Sequence, residues 1–245
     1  MLHDASTSSW PKVKALAQAG AVALLPVGST EAHGPHLPLN VDVVIALEVC
    51  RRVAPLLPRD AVLFPPVTYS LTDFAAPFSG TVSLPADTAR AMLQGVLEGI
   101  ARGGLTHLAV INHHLEPAHF RVVHEAAKAA AAATKARVVV PDHRRAPTGP
   151  KLGPEFMHGG SHAGQYETSL MLAAAPELVD QAAMRALPAL NVDLPGALKA
   201  GAKDFLQAGG PDAYFGAPAE ASQAEGERLF SILVEATAAS ILEGL

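Results

Sequence analysis

Four short apolar runs, separated by long segments of helical spacing, limit what this chain can fold into more than any other feature of its sequence. The first, residues 22–27, stops at Gly28 and reads as a buried strand. The second covers 62–67, and Pro65 and Pro66 weaken its end because proline cannot donate to a strand ladder. The third and fourth cover 107–111 and 137–140, the last ended by Pro141. Helical spacing is predicted over 41–57, 87–101, 117–133, 165–175 and 219–242. Pro85 stands near the start of the second of these and Gly103-Gly104 stops it. Strands that alternate with long helices predict an α/β fold. The expected form is a single layered domain over residues 1–245, its mostly parallel sheet flanked by helices on both faces. Residues 180–218 break the pattern, being rich in Pro, Gly and Asp with weak periodicity. They are expected to form an excursion that lines a site or a subunit contact.

Composition narrows the functional classes. With 49% hydrophobic and 17% charged residues, the chain can bury a core and is not a disordered segment. Aromatics are only 5%, so Ala, Val and Leu must fill most of that core. A net charge of -5 with scattered basic residues argues against nucleic acid as a partner. No run of 18 apolar residues is present, so no membrane span is expected. The first residues lack a basic stretch followed by an apolar one, and the lone Cys50 cannot form an internal disulfide. A cytoplasmic location and a buried structural thiol are expected.

Three polar clusters carry the chemistry. Residues 28–42 follow the first strand and hold Glu31, His33 and Asp42. Glu31 and His33 are two apart, so in an extended segment they point the same way, and Asp42 returns from the start of the next helix. Residues 112–117 follow the third strand, where His114 and Glu116 repeat that spacing. Residues 159–169 hold His162 and Glu167, the latter beside an apolar stretch where an uncompensated carboxylate is costly. Taken singly, each residue has a plain reading. A histidine after a strand is usually just hydrogen-bonded, Glu31 could be a loop carboxylate, and Asn112 or Ser161 could cap backbone. Together, at the ends of strands of one sheet, carboxylates and imidazoles form the usual ligand set of a divalent transition metal. Ser29, Ser161 and Ser169 leave a serine hydrolase open, although there is no Gly-x-Ser-x-Gly elbow. A Gly-x-Gly-x-x-Gly fingerprint and a His-Glu-x-x-His helix are also absent.

The first cluster, Gly28-Ser29-Thr30-Glu31-Ala32-His33-Gly34-Pro35-His36-Leu37-Pro38-Leu39-Asn40-Val41-Asp42, resembles the signature of the creatininase (creatinine amidohydrolase) family. Asn112-His113-His114-Leu115-Glu116 resembles that family's Asn-Gly-His-x-Glu segment. His162-Ala163-Gly164-Gln165-Tyr166-Glu167-Thr168-Ser169 resembles its third motif. Phe78-Ser79-Gly80-Thr81 and Glu225-Gly226-Glu227 extend the likeness over nearly the whole chain. The resemblance implies two divalent metal ions, zinc or manganese with iron as the other option, on Glu31, His33, Asp42, His114 and Glu116, with Asp42 bridging. It implies Glu167 and His162 as catalytic residues. Glu167 is the preferred proton carrier unless it ligates metal in place of Glu116, and His162 orients substrate or shares the proton. The implied activity is hydrolysis of a C–N bond in a small-molecule substrate: a cyclic amide, formamide or related compound. Creatinine itself, a peptidase-like activity and a non-catalytic homologue are the other readings, and a homo-hexamer is implied. The chain departs from the family pattern at His113 (usually Gly), Pro117 (usually Asn) and Ala75 (His in many relatives), and its only tryptophan is Trp10.

Overall fold

Alternation along the two central strands decides the layering. In the computed structural model, which describes residues 1–159 and 161–244, strand β2 (Val22–Val27) and strand β4 (His107–Asn112) lie side by side and parallel. Val22, Leu24, Ala109 and Ile111 point to one face. Ala23, Leu25, Val27, Leu108 and Val110 point to the other. Both faces are apolar, so both must be covered. Helices α2 (Val41–Val53), α6 (Gln165–Ala174) and α9 (Gln223–Gly244) cover the first. Helices α1 (Trp10–Gln18), α3 (Ala86–Arg102) and α4 (Pro117–Thr134) cover the second. Strands β1 (Leu2–Asp4), β3 (Ala61–Leu63) and β5 (Arg137–Val139) complete a five-stranded parallel sheet of order β1-β3-β2-β4-β5. This is the α/β architecture expected from the alternation.

The differences from expectation have local causes. β3 stops at Leu63, before the proline pair, and only an isolated bridge between Val27 and Val67 continues it. Three-residue β1, at the sheet edge, is too short to show a period. Among the described residues no helix is long and apolar enough to cross a membrane. The weakly periodic stretch from 180 to 218 contains helices α7 (Gln181–Ala186) and α8 (Leu194–Lys199) and follows the short α5 (Pro154–Met157). It has its own small core, in which Phe205, Ala208, Ala213 and Phe215 pack on Ala75. It is anchored where Asp180 N–H donates to the His36 carbonyl and Phe205 N–H to the Phe74 carbonyl, both at 2.9 Å.

Helices α6 and α9 meet at Gly226, where a Cβ would lie 1.9 Å from the Ser169 carbonyl oxygen. The obstacle is backbone, so relief requires separating two buried helices. Gly226→Ala is expected to destabilise the fold by about 1–3 kcal/mol, read as a lower urea midpoint. At Gly95 in α3 a Cβ meets nothing within 4 Å. Gly95→Ala should therefore stabilise by about 0.5–1 kcal/mol. Equal effects of the two substitutions would refute the close-approach argument.

The topology places the site. From β2 the chain moves to β3 on one side, and from β4 to β5 on the other. The carboxyl ends of β2 and β4 therefore flank the crevice where open parallel sheets bind ligands. Val27 and Asn112 are register partners, so the loops after both strands leave at the same height.

Candidate metal centre

The loop after β2 delivers three buried side chains. Glu31 and Asp42 are each 1% exposed and His33 is fully buried. Asp42 lies in the first turn of α2, close to Gly28, where a Cβ would come within 2.7 Å of the Asp42 Cβ. Its Oδ2 accepts hydrogen bonds from the Ser29 hydroxyl at 2.6 Å and the Ser29 N–H at 3.2 Å. The Ser29 hydroxyl thereby orients the Asp42 carboxylate. Glu31 Oε2 accepts a hydrogen bond from the Thr72 hydroxyl. His33 Nδ1 donates to the Glu31 carbonyl at 3.1 Å, which turns Nε2 toward three carboxylates. That nitrogen makes no hydrogen bond and lies 3.8 Å from Glu31 Oε1, 3.5 Å from Asp42 Oδ1 and 3.5 Å from Glu167 Oε2.

The loop after β4 adds His114. Asn112 clamps this loop, donating from its amide to the His114 carbonyl and accepting the His114 N–H. His114 Nε2 donates to the Leu71 carbonyl at 3.0 Å, leaving Nδ1 at 2.9 Å from Glu31 Oε1 and 3.3 Å from Asp42 Oδ2. The start of α6 adds Glu167, whose Oε2 accepts the Ala163 N–H at 2.7 Å. A carboxylate is favoured in that first turn by the helix dipole. Among the described residues three groups bring one potential ligand atom each within 4.8 Å of one another: Glu31–Asp42–His114, His33–Asp42–Glu167 and Glu31–His33–His162. Glu116 belongs to none of them. It lies in the cavity wall as the residue before α4, accepting the Phe74 N–H at 3.2 Å.

The charges fit cations. Burial alone would lower His33, but Asp42, Glu167 and Glu31 raise it to about 10. His114 is likewise pushed down by burial and held well above its ordinary value by Glu31 and Asp42. Burial favours raising Asp42, yet the two imidazoles keep it well below the usual carboxylate range. Burial dominates at Glu167, raised to about 8 against the pull of His33, and at Glu116, raised to about 7 against that of His114. The shifts share one cause: three buried carboxyl groups and two imidazoles crowd one small space, an arrangement that divalent cations would neutralise. Both histidines also donate their other N–H to a backbone carbonyl, the arrangement that fixes the tautomer of a metal-ligating imidazole.

A cavity of about 430 Å³ opens over this cluster. His162, whose Nε2 donates to the Ala32 carbonyl, lies between His33 and Phe205, tilted against both rings with centroids at 4.3 Å. Burial lowers it to about 4, so it is a neutral wall. All seven residues singled out from the sequence therefore converge on this region. Thr72, Phe74 and Phe205 also belong to it and were not anticipated, because none of them sits in a polar cluster after a strand. The departures from the family pattern have clear places. Pro117 takes the first turn of α4, Ala75 is buried in the small core, and His113 stacks with His143 and Tyr166. Trp10 is 75% exposed and does not line the cavity.

Fold and site together define a metal-dependent hydrolase with a binuclear divalent-metal centre. The model of the creatininase (creatinine amidohydrolase) family matches residues 6–241, and the chain belongs to that family. Creatinine amidohydrolase of Pseudomonas putida is 34% identical over 190 residues, covering 70% of this chain and 72% of that protein. The mycofactocin precursor peptide peptidase of Mycolicibacterium smegmatis is 33% identical over 223 residues, covering 88% and 82%. A solved structure of creatininase with manganese superposes with a TM-score of 0.78 at 28% identity, covering 98% of this chain and 97% of that one.

Proposed function

We propose that this protein hydrolyses the C–N bond of a small amide, a cyclic amide or a formamide, at a centre shared by two triads. One is Glu31, Asp42 and His114; the other is His33, Asp42 and Glu167. The observation that carries the reading is the division of Asp42. Its Oδ1 faces His33 and its Oδ2 faces His114, so one carboxylate serves both triads. The mixed nitrogen and oxygen donors suit zinc or manganese, with iron the other option. When bound, two such cations supply Lewis acidity toward an amide carbonyl and draw the pKa of a water down toward neutrality.

The remaining residues have separate tasks. Glu31, Asp42 and Glu167 would offset the repulsion between two bound cations. Glu116 stands outside the triads, in the cavity wall, with a carboxyl that burial raises to about 7. Such a group can hold a proton and deliver it to the leaving nitrogen. This assigns Glu167 to the ligands and gives the proton-carrying role to Glu116. His162 has committed its N–H to the Ala32 carbonyl and presents a flat neutral face that orients substrate. Thr72 and Ser29 hold Glu31 and Asp42 in place.

Metal titration tests the reading. An imidazolium has no lone pair to give, and His33, His114 and Glu167 all carry raised pKa values in the metal-free protein. Metal must therefore displace protons at pH 7, and affinity must rise with pH. Calorimetry in buffers of different ionisation enthalpy should show roughly two to three protons released per chain, with close to two ions bound. Uptake of less than about half an equivalent of either metal, or binding without proton release, would overturn the assignment.

A peptide is the second reading for the substrate. An open groove of about 800 Å³ adjoins the cavity and shares Pro195 with it, giving room for a longer chain. Turnover of unstructured peptides but of no cyclic amide would select it. We further propose a cytoplasmic protein that assembles as six copies. The fully buried Cys50 thiol and the family's habit support this. Light scattering should give a mass near six times 25.3 kDa, and a monomer mass would refute the assembly.

A further inference from the structure

The cavity over the metal centre is strongly asymmetric. Its floor is acidic, formed by Glu31, Asp42 and Glu167. Its walls are apolar. Phe205 and Phe74, with ring centroids 6.0 Å apart, continue the aromatic line that starts at His33 and His162. Leu194 and Leu198 of α8 also line the cavity. Lys199, in the last turn of α8, is the only lysine or arginine among the described lining residues. It is exposed and makes no hydrogen bond or ion pair with any described residue. Lys199 thus stands at the solvent edge of the cavity, beside Leu194 and Leu198 of its apolar wall, with its ammonium unpaired among the described residues.

The charge of the floor follows from the proposed function, on which this inference rests. Two divalent cations would offset the charge of the carboxylates beneath them, so the loaded floor would no longer repel anions. An uncommitted ammonium and a loaded metal pair then act on a ligand with the same sign. We propose that the substrate is an anionic amide. Its scissile C–N bond lies at the centre, its flat or aliphatic body lies along Phe74, Phe205, Leu194 and Leu198, and a carboxylate or other acidic group pairs with Lys199. Lys199 is accordingly a specificity residue, acting on the end of the substrate remote from the reacting bond. Among small amides, this favours those that carry an acidic group over neutral ones of the same size, which leave the lysine uncontacted.

Calorimetric titration of the metal-reconstituted protein tests this without knowing the substrate. The probes are benzohydroxamate, which chelates metal through its hydroxamate, and its meta- and para-carboxy derivatives. At least one carboxylated probe is expected to bind about fivefold or more tighter than the parent, as for a partly exposed ion pair. Lys199→Ala should bring that probe down to the parent's affinity, Lys199→Glu should place it below the parent, and Lys199→Arg should retain most of the preference. Metal content of each variant, measured on the same samples, separates loss of the contact from loss of the centre. Equal affinity for all three probes in the wild-type protein, or a preference that survives Lys199→Ala, overturns the proposal while leaving the metal centre standing. Failure of every hydroxamate to bind the reconstituted protein overturns the metal reading and this inference with it.

Discussion

Asp42→Asn is expected to empty both halves of the metal centre and abolish turnover in one step. The substitution keeps size and shape, so the fold around Gly28 and the Ser29 hydrogen bonds has no steric reason to change. What changes is charge and donor capacity. One of the two carboxylate oxygens that face His33 and His114 becomes an NH₂, which cannot ligate a cation. The floor also loses one of three negative charges that would hold four positive ones. Loss of an outer hydrogen bond to a ligand costs roughly 10- to 100-fold in affinity or activity, and loss of a shared ligand must exceed that. The check is metal content and kcat on the same preparation. An Asp42→Asn protein that retains two ions and measurable kcat would show that Asp42 is not the shared ligand.

The second large effect separates two buried glutamates. Glu116→Gln is expected to keep both ions and lower kcat by roughly 100-fold or more, the scale of a missing acid or base. Glu167→Gln is expected to lose an ion together with activity. The physical basis is position. Glu167 Oε2 lies 3.5 Å from the nitrogen of His33 that also faces Asp42, whereas Glu116 lies in the cavity wall, tied to the Phe74 N–H. A glutamine at 116 can still accept that N–H, so the wall stays in place while the transferable proton is gone. KM should change less than kcat. The opposite pattern, with metal lost in Glu116→Gln and retained in Glu167→Gln, would exchange the two roles.

Much of the site was legible because its signals are local. Glu31 and His33 are two residues apart on one loop, and Asp42 opens the helix that the same loop enters. A short stretch of sequence therefore carries both carboxylates of the first triad. The strands β2 and β4 were legible for the same reason, since a fully buried parallel strand is a continuous apolar run bounded by breakers. The proline pair at 65 and 66 correctly marked the weak end of β3.

What spacing could not decide is which carboxylate faces which imidazole. His114 and Glu116 have the same separation as Glu31 and His33, yet Glu116 turns into the cavity wall because Pro117 starts a helix there and the Phe74 N–H holds its carboxyl. Glu167 reaches His33 because α6 docks its first turn beside the β2 loop, a contact across more than a hundred residues. Thr72, Phe74, Phe205 and Lys199 have no local signature: Thr72 and Phe74 reach Glu31 and Glu116 from the loop after β3, and Phe205 and Lys199 join the cavity only because the segment 180–218 folds back over the sheet's carboxyl edge. The sequence by itself determined the strands, the main helices and the residue types able to hold metal, since these follow from short-range periodicity and from the cost of burying charge. Only the tertiary structure decided the orientation of each carboxyl and the walls of the cavity, because those depend on side-chain directions set by packing between segments far apart in the chain.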